Sequence, residues 1–204
     1  MNQIAIPKTK VKNNTRMLTA TALLAAISYI LAFIEFPVPL SPPFARMDFS
    51  DFPALIGAFA YGPIAGLIIA FVKNALQLLS TSTGGIGELA NFIMGGSFAF
   101  TAGLIYKSWK TKKGALVACM GASVIMGVMA VIANYFILLP MFEMFMPIEQ
   151  IIASFGEFIP FIKTKLDVVL YNAFPFNLLK GLVISVITIL IYKRLTPLLK
   201  GVFV

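Results

Sequence analysis

The chain has no histidine and a single cysteine, Cys119, which stands inside an apolar run. Zinc centres, Ser-His-Asp and Cys-His catalysis, histidine proton relays and an intrachain disulfide are thereby excluded. No G-x-x-x-x-G-K-[ST] occurs, so the chain carries no P-loop of its own. Charge is scarce too: charged residues make up 12% of the 204, with eight acids against sixteen bases. Apolar residues take up the difference, at 59% of the chain and a mean hydropathy of +0.93, far outside the composition of soluble domains. The expected fold class is an all-α integral membrane protein in one membrane domain, residues 1–204. The basic start from Met1 to Arg16 leads into an apolar run long enough to span, with no small-residue cleavage site after it, so the first helix is expected to stay.

The stretch from Asp51 to Ser80 decides the topology. As one helix of thirty residues it would measure roughly 45 Å, well beyond a hydrocarbon core of about 30 Å. Gly62 and Pro63 in its middle divide it instead: glycine can take the conformation that ends one helix, and proline suits the first turn of the next. Six transmembrane helices follow, at about 17–35, 50–61, 63–80, 87–106, 115–139 and 173–192, the second too short to span alone. With the N-terminus (1–16) cytoplasmic, eleven Lys and Arg fall inside, three outside and two, Lys73 and Lys180, within apolar segments. This satisfies the positive-inside rule and puts both termini in the cytoplasm of a multi-pass cell-membrane protein. The same placement argues against nucleic acid as the partner of a +8 chain and for membrane lipid. All eight acids fall in outer loops or at outer helix ends, which leaves no acid expected at mid-depth for a proton or sodium site. If the chain transports, its energy then comes from a partner.

Two long outer loops are expected, 36–49 and 140–172. The first has four prolines between Phe36 and Asp51 yet stays apolar, with Phe44 and Phe49 available to cover something beneath. The second is expected to hold a short amphipathic helix near 148–158. Beneath them, Glu88 and Asn91 lie three apart on one helix face, Asn134 stands towards the outer end of the fifth helix, and Asn177 and Lys180 are again three apart in the sixth. Their similar depths suit a pocket open to the outside, since ionisable groups at such depth usually face a cavity or a partner. The plainer alternative is a structural Glu88–Lys180 ion pair with asparagines bonding between helices. Lys73, near mid-depth beside Asn74 and Gln77, is expected to serve helix packing. Ala22 and Ala26 form a small-xxx-small pair that lets another helix approach closely.

FARMDFSDFPALIGAFAYGPIAGL, GGIGELANF, NYFILLP and FNLLKG together resemble the riboflavin-specific S components of energy-coupling factor (ECF) transporters, over nearly the whole chain from Thr19 to Arg194. The resemblance implies a six-helix, non-enzymatic subunit that captures riboflavin near the outer face, under the loop after the first helix. It implies inward release on docking with an ECF module of one transmembrane T subunit and two ATPases. Ala22 and Ala26 match the family's A-x-x-x-A docking motif, and Asn134, Asn177 and Lys180 match its flavin-contacting positions. Glu88, Asn91, Phe44 and Phe49 join the site by position alone. No metal or resident cofactor is implied; riboflavin is the cargo, and its phosphate ester, FMN, stays open beside it. The alternatives are an S component for another vitamin or small nutrient, a membrane enzyme, or a structural membrane protein.

Overall fold

The computed structural model describes residues 8–37, 46–81 and 83–200, with side chains described within 15–192 of these. Helix α1 (Lys8–Leu31) is followed by a two-stranded antiparallel ribbon, β1 (Phe36–Pro37) and β2 (Arg46–Met47), paired Phe36 to Met47 and Pro37 to Arg46. Then come α2 (Asp51–Tyr61), α3 (Pro63–Gln77), α4 (Ile86–Ser108), α5 (Lys112–Ala133), the short α6 (Leu139–Glu143), α7 (Ile148–Gly156) and α8 (Lys165–Val168), and α9 (Phe174–Lys200). Among the described residues, four continuous helical stretches are long and apolar enough to cross a membrane: Pro63–Ser80, Ile86–Ser108, Lys112–Glu143 and Lys165–Tyr192.

Helix α2 lies at the centre of the bundle. It is apolar all round because α1, α3, α4 and α9 enclose it, and eight of its eleven residues are buried. One apolar cluster joins Leu55 and Phe59 to Phe98 of α4, Met126 of α5 and Ile184 of α9; a second joins Ile56 to Leu24 of α1 and Ile69 of α3. Small residues set the spacing, as expected where lipid supplies no hydrophobic drive between helices. A Cβ on Gly103 would stand 2.6 Å from the Pro63 Cα, so only glycine lets α4 lie against the α2–α3 turn. That turn is Gly62, at φ 102°, with Pro63 opening α3. Large apolar side chains such as Leu23, Ile27, Ile68 and Phe71 cover the outside of the bundle.

Several boundaries differ from the sequence expectation. Helix α1 ends at Leu31 rather than 35, and the segment 140–172 is a folded unit rather than a loop. There Leu139, Ile151, Phe155, Ile162, Val168 and Val169 form a core of their own. For that segment the physical reason lies in two prolines, Pro140 and Pro175, that the flanking helices accommodate. Each is preceded by a wide π turn, Asn134–Leu138 before Pro140 and Val169–Ala173 before Pro175. A proline ring clashes with the carbonyl four residues back, here Phe136 and Tyr171. The widened turn takes up that clash, so both helices run on through their prolines.

The length of α2 has a further consequence. Eleven residues rise roughly 16 Å at about 1.5 Å per residue, about half a bilayer core. Starting from the Gly62–Pro63 turn, its first residue, Asp51, therefore stands at the depth of Lys73, ten residues into α3. The expectation of no acid at mid-depth is corrected: Asp51 is 2% exposed, inside the bundle.

Candidate functional site

At the end of the bundle carrying the ribbon and α6–α8, a cavity of about 340 Å³ opens between the helices. Asn91 from α4, Asn134 from the first π turn, and Asn177 and Lys180 from α9 line it, with Glu88 at the start of α4. These five polar residues, drawn from three separate stretches of chain, thus face one space. Gln77 and Asn172 join them, and Leu138, Phe142, Phe155 and Phe176 give it apolar walls. Its volume falls in the range of small-molecule sites. Phe49 is not among the lining residues; its ring packs at 5.2 Å on Phe36 and braces the ribbon. Phe44 lies outside the described residues.

The two wide turns aim the asparagines. Asn134 Nδ2 donates to the Ala130 carbonyl at 2.8 Å, and Asn177 Nδ2 donates to the Ala173 carbonyl at 2.9 Å. Each amide spends one donor on the preceding turn, and its oxygen and second N–H make no hydrogen bond among the described residues. Gln77 Oε1 is buried with no hydrogen-bond partner. An unpaired buried acceptor is costly, and a ligand donor would satisfy it.

Lys180 is held by acids that sequence reading did not connect to it. Its Nζ lies 3.2 Å from Asp48 Oδ2, just after the ribbon, and 3.0 Å from Asp51 Oδ2. Lys73 Nζ completes the group, 3.2 Å from Asp51 Oδ1 and 2.9 Å from Ser50 Oγ. The alternative of a structural Glu88–Lys180 ion pair is therefore ruled out: Glu88 accepts from Thr83 Oγ1 at 2.9 Å instead. Lys73 is a member of an ion network rather than a packing residue, and at 2% exposure it does not snorkel. Two carboxylates and two ammoniums make the tetrad neutral, so little net charge is left to a ligand meeting Lys180. Burial works against the charged form of Asp48, but the Lys180 and Lys73 ammoniums outweigh it and hold the carboxyl below its ordinary value of 3.8. A depressed carboxylate stabilises the fold above that ordinary value and loses its contribution only as pH falls below it. At the rim, Arg46 and Glu35 stand 3.7 Å apart, both largely exposed.

No group of three or more metal-ligating acids, histidines or cysteines occurs among the described residues. On α1, Ala22 and Ala26 are exposed, while Thr21, Leu24, Ala25 and Ser28 face the bundle.

Comparison with known proteins places this architecture. The chain is 38% identical over 196 residues to "Riboflavin transporter RibU" of Staphylococcus aureus (strain TCH60), covering 96% of this chain and 97% of that one. It is 32% identical to "Riboflavin transporter FmnP" of Bacillus subtilis (strain 168), over 89% of this chain and 93% of that protein. A solved structure described as "Structure and mechanism of the S component of a bacterial ECF transporter" superposes with a TM-score of 0.74 at 36% identity, over 92% of this chain and 99% of that one. The family profile described as "ECF transporter, substrate-specific component" matches residues 16–192, and the chain belongs to that family.

Proposed function

We propose that the chain is the riboflavin-capturing membrane subunit of an ECF importer. The observation that carries this reading is the cavity itself: apolar walls, amide groups along its lining, and a lysine, Lys180, already neutralised by Asp48 and Asp51. An isoalloxazine ring needs apolar walls with amide donors and acceptors at its edge, and a ribityl chain supplies hydroxyl donors for acceptors such as Gln77 Oε1. The names of the relatives point to the same ligand. Asn134, Asn177 and Lys180 meet the ring edge, with Glu88 and Asn91 beside them. The cavity faces outward, both termini are cytoplasmic, and release inward follows docking on a T subunit with its two ATPases.

Riboflavin, which carries no charge near neutral pH, is favoured over FMN, which carries a phosphate. Three acids, Glu35, Asp48 and Glu88, line the cavity against two bases, Arg46 and Lys180, so a phosphate enters a field of the wrong sign.

Purification in detergent tests the reading directly. The protein is expected to bind riboflavin with quenching of its fluorescence, and to bind FMN about tenfold more weakly or worse. Asn177→Ala should cost about 1–3 kcal/mol of binding, roughly five- to 150-fold in affinity, with the thermal stability of the ligand-free protein unchanged. Failure of the wild-type chain to bind riboflavin at all would overturn the assignment.

Orientation has its own check, on a Cys119→Ala background. The side chains of Glu149 on α7 and Lys113 on α5 are exposed near opposite ends of the bundle. With an impermeant thiol reagent on intact cells, Glu149→Cys should label and Lys113→Cys should not; the reverse pattern inverts the topology.

A further inference from the structure

At the end of the bundle opposite the substrate cavity, a second cavity of about 450 Å³ lies against the Gly62–Pro63 turn, lined by Tyr61, Ile64, Tyr106, Lys107 and Lys110 among others. Its chemistry is the inverse of the first. Lys107 and Lys110 are exposed, and neither pairs with a carboxylate among the described residues. The sequence offers none nearby, since no Asp or Glu occurs between Phe52 and Gly87 or between Leu89 and Phe142. Tyr106 is fixed by ring contacts at 4.5 Å to Phe59 and 6.0 Å to Tyr192, while its hydroxyl makes no hydrogen bond among the described residues. The Tyr192 hydroxyl is already engaged, donating to the Phe59 carbonyl. Two ammoniums and a phenol donor, with no acid among them, form a site for an anion.

The surroundings say what kind of anion. From the cavity an exposed apolar row rises along α3, Ile64, Ile68 and Phe71 at i, i+4 and i+7, with Leu104 exposed on the neighbouring α4. Trp109, 47% exposed, stands between the two lysines in sequence, the kind of residue that settles at a membrane–water boundary. Free phosphate would answer the lysines and leave the row unused; a phosphate carrying acyl chains would use both. We propose that this cavity binds the phosphate headgroup of an anionic phospholipid, with an acyl chain along Ile64, Ile68 and Phe71. Basic pockets between transmembrane helices hold anionic headgroups by the same means, each lysine near the membrane surface adding attraction. The inference stands independently of the substrate.

The test uses the full chain, delipidated in detergent and titrated with phosphatidylglycerol or phosphatidylcholine under native mass spectrometry. Phosphatidylglycerol should bind selectively. Lys107→Gln with Lys110→Gln should weaken it about thirtyfold, to the level of phosphatidylcholine, with thermal stability unchanged. Lys112→Gln with Lys113→Gln, whose side chains do not line the cavity, should keep the selectivity. Millimolar inorganic phosphate should fail to displace the lipid; displacement would make this a simple anion site and overturn the lipid assignment. Equal retention of both lipids, or the same loss in both variant pairs, would overturn the site. So would a Lys107/Lys110 variant that keeps lipid selectivity yet loses uptake, since the cavity would then be a protein-docking surface.

Discussion

Lys73→Met will destabilise the ligand-free protein by about 3–5 kcal/mol, and adding Asp51→Asn to it will restore most of that loss. Removing one partner from a buried ion pair leaves the other uncompensated in a medium that solvates charge poorly, which is the origin of the magnitude. Here the loss leaves Asp48 and Asp51 sharing one ammonium, at 3.2 and 3.0 Å from Lys180. Asp51→Asn alone errs the other way, leaving Lys73 and Lys180 with Asp48 alone. In the double variant Asp48 and Lys180 remain and the group is neutral again. The cycle should therefore show strong coupling, about 2 kcal/mol or more, as for residues within one network. Thermal unfolding of the four proteins in one detergent checks it. A double variant as unstable as the two single losses added together would mean that Lys73 matters for shape and not for charge. Riboflavin binding should survive in the double variant, because Lys180 keeps Asp48 and still lines the cavity.

The same network shows where sequence reading succeeds and where it stops. Helical depth is legible: counting from helix starts placed Glu88, Asn91, Asn134, Asn177 and Lys180 at one level, and all five line one cavity. The α2–α3 break was legible because Gly62 and Pro63 each carry a backbone constraint of their own. The partner of Lys180 was not. Asp51 looks like an outer helix end until the shortness of α2 is used to set its depth. Asp48 reaches Lys180 across 132 positions of sequence, a pairing that no local pattern encodes. A signal for Asp51 was nonetheless present. A span of about eleven residues ending in a fixed turn carries its first residue into the bundle, and Lys73 at matching depth calls for an acid. The π turns escaped for a different reason: a proline after an apolar run reads as a stop, and only the packing of the core at Leu139, Val168 and Val169 decides that the helix continues. Phe49 was assigned to the ligand from its place in the outer loop, whereas its ring packs on Phe36 of the ribbon.

Substituting leucine at both Ala22 and Ala26 should abolish riboflavin uptake while leaving binding by the isolated subunit intact. Both alanines are exposed on α1, so the added side chains enter the surroundings of the bundle and not its core. The opposite face, with Leu24 and Ala25 in the cluster against α2 and α3, is untouched, and the fold should hold. So should the tie between α1 and the tetrad, in which Ser28 Oγ donates to the Ser50 carbonyl. What changes is the distance at which another helix can lie against α1. Small residues four apart permit backbone contact, and in lipid that close packing is most of what holds two helices together, with no hydrophobic drive to replace it. Two leucines on that line push a partner helix away and remove the association. Uptake of labelled riboflavin, measured in cells that depend on the transporter and express the variant at the wild-type level, should fall to background. Fluorescence titration of the purified variant should give the wild-type affinity. If uptake continues at the wild-type rate, the ECF module meets another face of this subunit; if uptake and binding fall together, the two alanines support the fold and not the docking.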